Sequence, residues 1–435
     1  MFSIAAILVA LGFSGAPALT QQPLAANAAV QATVGSAGFK AAAAALDRDF
    51  DRHVAETIQL TEIPSPPFKE AERAKVYLAM LKTHGLTDVE MDTEGNVMGL
   101  RRGTLSASAR QAGGGPLIAI AAHLDTVFPA GTDVKVKRTG TRLAAPGVGD
   151  DSRSLAVLLA FIRAMDAAKI QTTADILFVG NVGEEGPGDL RGVRYLFTKS
   201  KYKDRITAFI SADGTDPGDE IVTGGVGSKR YHVAFKGPGG HSYTDFGIVS
   251  PAFAMANAMK KFGMLKVPAT PKTTFSVGVV GGGTSINSVP FETWMDIDMR
   301  SESPAELQQL DASFKALVTE AVAEENAARS TAKGTITAEV TLTGDRPSGQ
   351  TASSQAIVQI ASASVRAFGL TPRSTFSSTD SNIPISLGIP AITLDAGGTS
   401  DRAHALDEWI DLEKTSSLRG MQIMLATLLT LAGMQ

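Results

Sequence analysis

The sequence predicts an α/β fold: a largely parallel sheet flanked by helices, with a two-layer α+β unit inserted in its second half. Four short apolar runs carry the first part of this expectation: "LIAIAA" (117–122), "ADILFVGNV" (174–182), "ITAFISA" (206–212) and "PAITLD" (390–395). Such near-continuous runs, separated by helical stretches, mark parallel strands covered on both faces. The middle of the chain reads differently. "KRYHVAFKG" (229–237), "TTFSVGVVGG" (273–282) and "ETWMDIDMRS" (292–301) alternate apolar and polar residues, as half-exposed antiparallel strands do. A length of 435 residues also exceeds the range in which a single core keeps growing, so two units are expected.

Taken in order, the elements begin with an apolar run, "IAAILVALGF", of the length of a signal-peptide core and too short to span a bilayer. Ala16-Pro17-Ala18 follows as a small-x-small cleavage pattern, although no Lys or Arg precedes Lys40. Residues 1–18 are therefore expected to act as an export signal and 19–39 as a mobile leader, placing the mature protein outside the cytoplasm. Helical spacing covers 41–60 and 68–84, with Pro64, Pro66 and Pro67 breaking the chain between them. A helix over 153–168 separates the first two apolar strands. The first part of the main domain runs over 40–224, the inserted unit over 225–342 with helices at 250–263 and 304–328, and the second part over 343–435, opening with a helix at 352–369.

Composition narrows the function. Hydrophobic residues make up 44% and charged residues 19% of the chain, which suits a folded globular protein. A net charge of −4 offers no basic footprint for nucleic acid. No cysteine is present, so thiolate catalysis and cysteine-type zinc sites are excluded. No later apolar run is long enough for a membrane span. The glycine clusters at 113–115 and 281–283 lack the features of a phosphate-binding loop or a dinucleotide fingerprint and read as turns.

In open α/β sheets ligands bind beyond the carboxyl ends of the strands. There the chain places His123-Leu124-Asp125, then Glu184-Glu185, then Asp213, then His404 after a glycine-rich loop; Asp150 and Asp151 stand before the 153–168 helix. Singly, each is a common structural feature: a satisfied histidine, a cap, a surface carboxylate pair. Together at strand ends they form an imidazole–carboxylate set that suits zinc or a related divalent metal. Residues two apart on an extended chain share a face, so the Asp125 carboxylate is expected to accept the other ring N–H of His123. His53, His84 and His232 read as structural.

These motifs, "AAHLDTVFPAG", "GVGDDSRSLA", "NVGEEGPGDLRGV", "SADG", "GPGGHS", "GGTSINSVP" and "HALDEW", resemble the dizinc exopeptidases and amidohydrolases that include carboxypeptidase G, acetylornithine deacetylase, succinyl-diaminopimelate desuccinylase and peptidase T. "GEEGPGDLRGV" is most similar to the peptidase T-like branch. The resemblance implies two zinc ions per subunit, with cobalt or manganese as substitutes. His123 and Asp213 would bind one ion, Glu185 and His404 the other, and Asp150 would bridge them. Glu184 would be the general base and Asp125 the residue orienting His123. The inserted unit would be a dimerisation domain, or lid, forming a homodimer. His241 would reach the partner subunit's substrate, while Asn287 and Arg300 would hold the substrate backbone or carboxylate. The family's "DDKGG"-like run is "DDSRS" here, so the start of the following helix departs from the pattern. The implied activity is hydrolysis of an amide bond in small peptides, with N-acyl amino acids as the alternative substrate class. A catalytically silent metal-binding module is the reading from another class, and the intact Glu184 argues against it.

Overall fold

Alternation along the central strands decides which face of the sheet each residue serves. The structure, a computed structural model, describes residues 18–105, 115–215 and 217–435. Strand Leu117–His123 is buried along its whole length. Its Ile118, Ile120 and Ala122 join the larger core, while Leu117, Ala119 and Ala121 join the core on the opposite face. This is the period-2 rule applied to a strand covered twice. Strand Asp175–Asn181 divides in the same way: Ile176 and Phe178 serve one core, Leu177 and Val179 the other. Truncating Phe178 to Ala would cost ~3–5 kcal/mol as a buried aromatic deletion.

Four strands run parallel at the centre of a nine-stranded sheet, in the spatial order Asp175–Asn181, Leu117–His123, Ile206–Ala212, Ala391–Leu394. Antiparallel pairing begins at the flanks, with Val97–Arg101 on one side and Glu220–Gly225 on the other. Helices Ala37–Arg48, Phe50–Thr61, Ser152–Ala167, Ala356–Ala367 and Lys414–Leu431 contribute to the larger core, and Arg191–Thr198 with Asn382–Ser386 to the opposite one. The apolar helix Ser152–Ala167 is buried over nearly its full circumference because other helices enclose it against the sheet.

The inserted unit is a four-stranded antiparallel sheet in the order Thr273–Gly282, Glu292–Ser301, Gly227–Lys236, Thr337–Arg346. Its last strand runs past the expected boundary at 342, and Glu220–Gly225 belongs to the main sheet. Helices Pro251–Gly263 and Pro304–Ala328 form the second layer. Leu307, Leu310, Phe314, Leu317, Val318 and Ala321 give the long helix its buried stripe. Ser303 caps that helix, its side chain accepting from the Glu306 N–H at 3.4 Å, and Pro304 occupies the first position, where a missing N–H costs nothing.

Three features depart from the expectations. Within the segment expected as a mobile leader, Ala18–Gly35 is a helix, and Ala26 and Val30 pack against Ala363; small apolar residues on that face find a partner in helix Ala356–Ala367. A second small sheet, ordered Thr399–Asp401, Trp409–Asp411, Arg142–Ala144, Lys137–Thr139, has strands of three residues each, too short for periodicity to reveal. Helix 41–60 is split at Asp49 into two. Residues 1–17 of the expected signal, and Gly113 and Gly114, lie outside the described residues. Among the described residues no helix is long and apolar enough to cross a membrane.

Candidate metal centre

All four parallel strands point their carboxyl ends at one place. His123 closes its strand and is paired in register with Asn181, beyond which the chain turns through Gly183 to Glu184 and Glu185. Gly183 has φ +66, and a Cβ there would lie 2.5 Å from Arg191 Cγ, so this tight turn accepts only glycine. Asp213 follows Ile206–Ala212, and the loop after Ala391–Leu394 carries His404 at φ +66, a conformation rare outside glycine. Asp150 is delivered by the turn before helix Ser152–Ala167.

Asp150 sits between the two histidines. Its Oδ1 lies 2.9 Å from His123 Nε2 and its Oδ2 3.2 Å from His404 Nε2. His404 Nε2 is also 3.0 Å from Glu185 Oε1. Ligand atoms of His123, Asp150 and Asp213 lie within 4.8 Å of one another, as do those of Asp150, Glu185 and His404. A third group joins His123, Glu184 and Glu185. Every metal residue expected from the sequence is thus brought to one site, with Glu184 beside them. The cavity in front of them is ≈ 590 Å³ and is lined by Asp150, Glu184, Glu185, Asp213, His404 and Arg300, among others.

Asp125 performs a different task from the expected one. The His123 Nδ1 hydrogen bond goes to the Asp125 backbone oxygen at 3.1 Å, while the carboxylate stands at 3.6 Å, too far for a hydrogen bond. That carboxylate instead accepts the N–H of Glu184 at 3.0 Å and of Glu185 at 2.8 Å. Two converging backbone donors in a buried turn outcompete the ring for its two oxygens. Asp125 therefore fixes His123 through its main chain and the Glu184-Glu185 turn through its side chain.

The electrostatics call for added positive charge. Burial, with Asp150 nearby, pushes the Asp213 carboxyl up to about 7. Burial raises Glu184 well above the usual carboxylate range, against the pull of Arg346. For Asp150, hydrogen bonds from His123 and His404 overcome burial and hold its pKa below the ordinary value. Buried carboxylates crowded in this way are accommodated when cations share them. Imidazole and carboxylate donors without thiolate fit a zinc-class divalent metal.

Several residues at the site carried no signal that spacing could detect. Arg346, at the end of the last lid strand, donates from Nη1 to Glu184 Oε1 at 3.0 Å and from Nη2 to the Glu184 carbonyl. Glu408 accepts from the N–H groups of Gly147, Gly149 and Asp150 at 2.7, 2.8 and 3.1 Å, bracing the turn that presents Asp150; it lies inside "HALDEW", a motif that singled out His404 alone. Buried Asp380 accepts from Asn181 Nδ2 at 2.7 Å and follows a short polar strand, Arg373–Ser377, that has no apolar signature.

The three candidates for substrate binding divide. Arg300 lines the cavity. His241 and Asn287 do not line it; His241 belongs to a small two-stranded pairing of Gly240–His241 with Ser288–Val289, and next to it the Ser242 N–H donates to the Asn287 carbonyl at 3.0 Å. The other histidines stay apart from the site. His53 is fully buried, edge-on to Phe50, and burial drives its pKa down to about 2. His232 pairs with Asp296 at 2.6 Å on the lid sheet, and His84 follows the end of helix Ala71–Leu81.

With this geometry, comparison with known proteins is decisive. The model of peptidase family M20/M25/M40 matches residues 119–430. The chain belongs to that family. It is a metal-dependent hydrolase. Aminopeptidase PepT from Bacillus cereus superposes with a TM-score of 0.69 at 22% identity, covering 88% of this chain and 98% of that one. A tripeptidase from Staphylococcus aureus gives 0.65 at 20% identity over 88% and 97%. At these identities the likeness speaks for the fold. A LysW-lysine/LysW-ornithine hydrolase of Pyrococcus abyssi is 34% identical over 128 residues, 29% of this chain; the match spans about a third of that relative, 32% of its length.

Proposed function

We propose that the protein is an exopeptidase of di- and tripeptides that uses two zinc ions and Glu184 as general base. The supporting observation is Asp150, whose two carboxylate oxygens face His123 on one side and His404 on the other. In this reading His123 and Asp213 hold one ion, Glu185 and His404 the second, and Asp150 lies between them. Such a pair, when bound, lowers the pKa of a water and polarises the scissile carbonyl.

The protein's own groups do the rest. Glu184 takes the attacking water's proton and returns it to the leaving amine, a role matched by a carboxyl that burial biases toward holding a proton. Arg346 keeps that carboxylate in place and sets Glu184 apart from Glu185, which faces His404. Asp125 secures both glutamates by their N–H groups. Arg300 presents its guanidinium to a substrate carboxylate. His241, which does not line the chain's own cavity, serves the partner subunit's substrate in a homodimer, and Asn287 holds the substrate backbone. Tyr243, Phe246 and Ile286, exposed beside them, support a contact there. The apolar first residues support export of the protein.

The relative from Pyrococcus abyssi, named for a lysine or ornithine joined to LysW, supports a second reading as an amidohydrolase of N-acylated amino acids. One screen separates the two: di- and tripeptides against acetyl- and succinyl-amino acids, after chelation and with zinc, cobalt or manganese restored. The exopeptidase reading expects metal-restored turnover highest on free peptides; turnover confined to acyl-amino acids would replace it with the second.

A further inference from the structure

Arg300 is the lid residue that borders the cavity with an open fork, and what fixes that fork is found on the neighbouring strand. Asp298 precedes Arg300 by two positions on strand Glu292–Ser301, so both side chains project from the same face. Across the ladder Asp298 is paired directly with Arg230 of strand Gly227–Lys236. Its Oδ2 accepts from Arg300 Nε at 2.7 Å and its Oδ1 from Arg230 Nε at 2.9 Å. Arg230 then crosses to the main domain, where its Nη1 donates to the carbonyl of Gly186 at 3.2 Å. Gly186 follows Glu185 directly, in the turn that presents both glutamates.

The two terminal nitrogens of Arg300 make no hydrogen bond to any described residue, whereas its Nε is committed to Asp298. The direction of the fork is therefore set by one carboxylate. That carboxylate is held on its other oxygen by a guanidinium anchored to the metal loop. Asp298 stays ionised: although burial pushes it up, Arg300 and Arg230 hold it below the ordinary carboxylate value. Both arginines border the cavity.

We propose that Asp298 and Arg230 are positioning residues, a relay from the Gly186 carbonyl to Arg300 that fixes the carboxylate-binding fork of the lid relative to the metal loop. The relay makes recognition of a substrate carboxylate depend on the register between lid and Glu184-Glu185 turn. It rests on the proposed reading of Arg300 as the residue that receives that carboxylate.

The experiment compares trialanine with trialanine amide, which lacks the terminal carboxylate, on the zinc-loaded full chain. Losing one charge-assisted hydrogen bond is worth about tenfold or more, so Asp298→Ala should cut the preference for the free acid by about that factor. The change should fall mainly in KM. Asp298→Asn, which keeps one acceptor oxygen, should fall between, and Arg230→Gln should move the preference in the same direction. A loss shared equally by both substrates, or an unchanged preference, overturns the relay.

A turnover-free reading keeps this separate from the peptidase assignment. In zinc-loaded Glu184→Gln protein, trialanine should raise Tm more than its amide does, and adding Asp298→Ala should erase that difference. Persistence of the difference, or its absence before Asp298 is changed, overturns the relay. A protein that hydrolyses no peptide, yet shows the expected melting pattern, defeats the exopeptidase reading alone.

Discussion

The two sheets of this protein handle charge in opposite ways. At the carboxyl edge of the central sheet, His123, Asp125 and Glu184 are buried, and their neighbours hold them from several directions. On the lid, His241 is exposed, and the loops beside it leave Tyr243 85%, Phe246 90% and Ile286 103% exposed. Buried polar groups need partners, and these three find theirs within the chain. The loops of the inserted unit instead leave these apolar side chains uncovered within their own chain. If chemistry belongs to the first region and recognition to the second, substitutions should separate the two.

The sharpest test is Glu184→Gln. It removes the carboxylate proposed to accept the proton, keeps the size, and leaves the N–H that Asp125 holds. Turnover should fall ~10²–10⁴-fold, the range for a positioned general base, while zinc content stays that of the native protein. Loss of zinc along with turnover would move Glu184 from base to ligand, as its grouping with His123 and Glu185 permits geometrically.

His241→Ala asks whether the lid contributes to the chemistry at all. If the side chain serves a partner's substrate as an oxyanion donor, kcat should fall ~10²–10³-fold with no change in metal content. Mixing it with Glu184→Gln protein should then regain activity, because one site of the mixed dimer has both an intact base and an intact partner histidine. A chain that sediments as a monomer, or a mixture that regains nothing, removes the cross-subunit role.

A smaller effect is expected at Asp125. Asn keeps one acceptor oxygen but turns an amide N–H₂ toward the second backbone donor, where a carboxylate oxygen now receives the Glu185 N–H at 2.8 Å. Metal affinity should weaken ~10–100-fold, the scale seen for residues that orient ligands, and excess zinc should restore much of the turnover. Unaltered zinc affinity would mean that the Glu184-Glu185 turn holds without its anchor.

The same contrast explains what could be read from the sequence. Long buried strands announce themselves as apolar runs, so the parallel sheet and the residues just beyond its strands, His123, Glu184, Glu185 and Asp213, were legible. Asp150 was legible from its place just before the 153–168 helix, and His404 from the glycine-rich loop after the last strand. Arg346, Asp380 and Glu408 were not legible, because they arrive from short or polar segments whose position depends on how the lid returns and how the 399–411 loop folds. Asp125 was found but its bond was misjudged: strand periodicity brought its side chain to the right face, and only the Gly183 turn shows that two backbone donors claim the carboxylate. Nor could small apolar residues at 18–35 be told from a leader, since the helix they pack against lies more than 300 residues away in sequence.

The smallest effect is a pH window that separates the two regions by stability alone. In the central site burial pushes Asp213 up to about 7, Glu408 to about 7 and Asp380 to about 6. In the unfolded chain such groups titrate near ~4. Between pH ~4 and ~7 these three groups therefore bind more protons in the folded, metal-free protein than in the unfolded one. Together they lower its stability as pH rises, against the opposing contribution of buried His53, whose pKa of about 2 works the other way. Metal binding at Asp213 needs that carboxylate ionised, so stabilisation by zinc should grow through the same interval. The lid works with the opposite sign: Lys333 holds Asp245, and Lys236 holds Glu339, below their ordinary values. Their contribution is present above pH ~4 and is lost only on further acidification. The gap in Tm between zinc-loaded and chelated protein should thus be wider at pH 7.5 than at pH 5, and chelated protein should melt lower at pH 7.5. An equal gap at both pH values, or a chelated protein that gains stability across the window, would mean that the central carboxylates are not strained by their burial, and the contrast between the two sheets would lose its energetic basis.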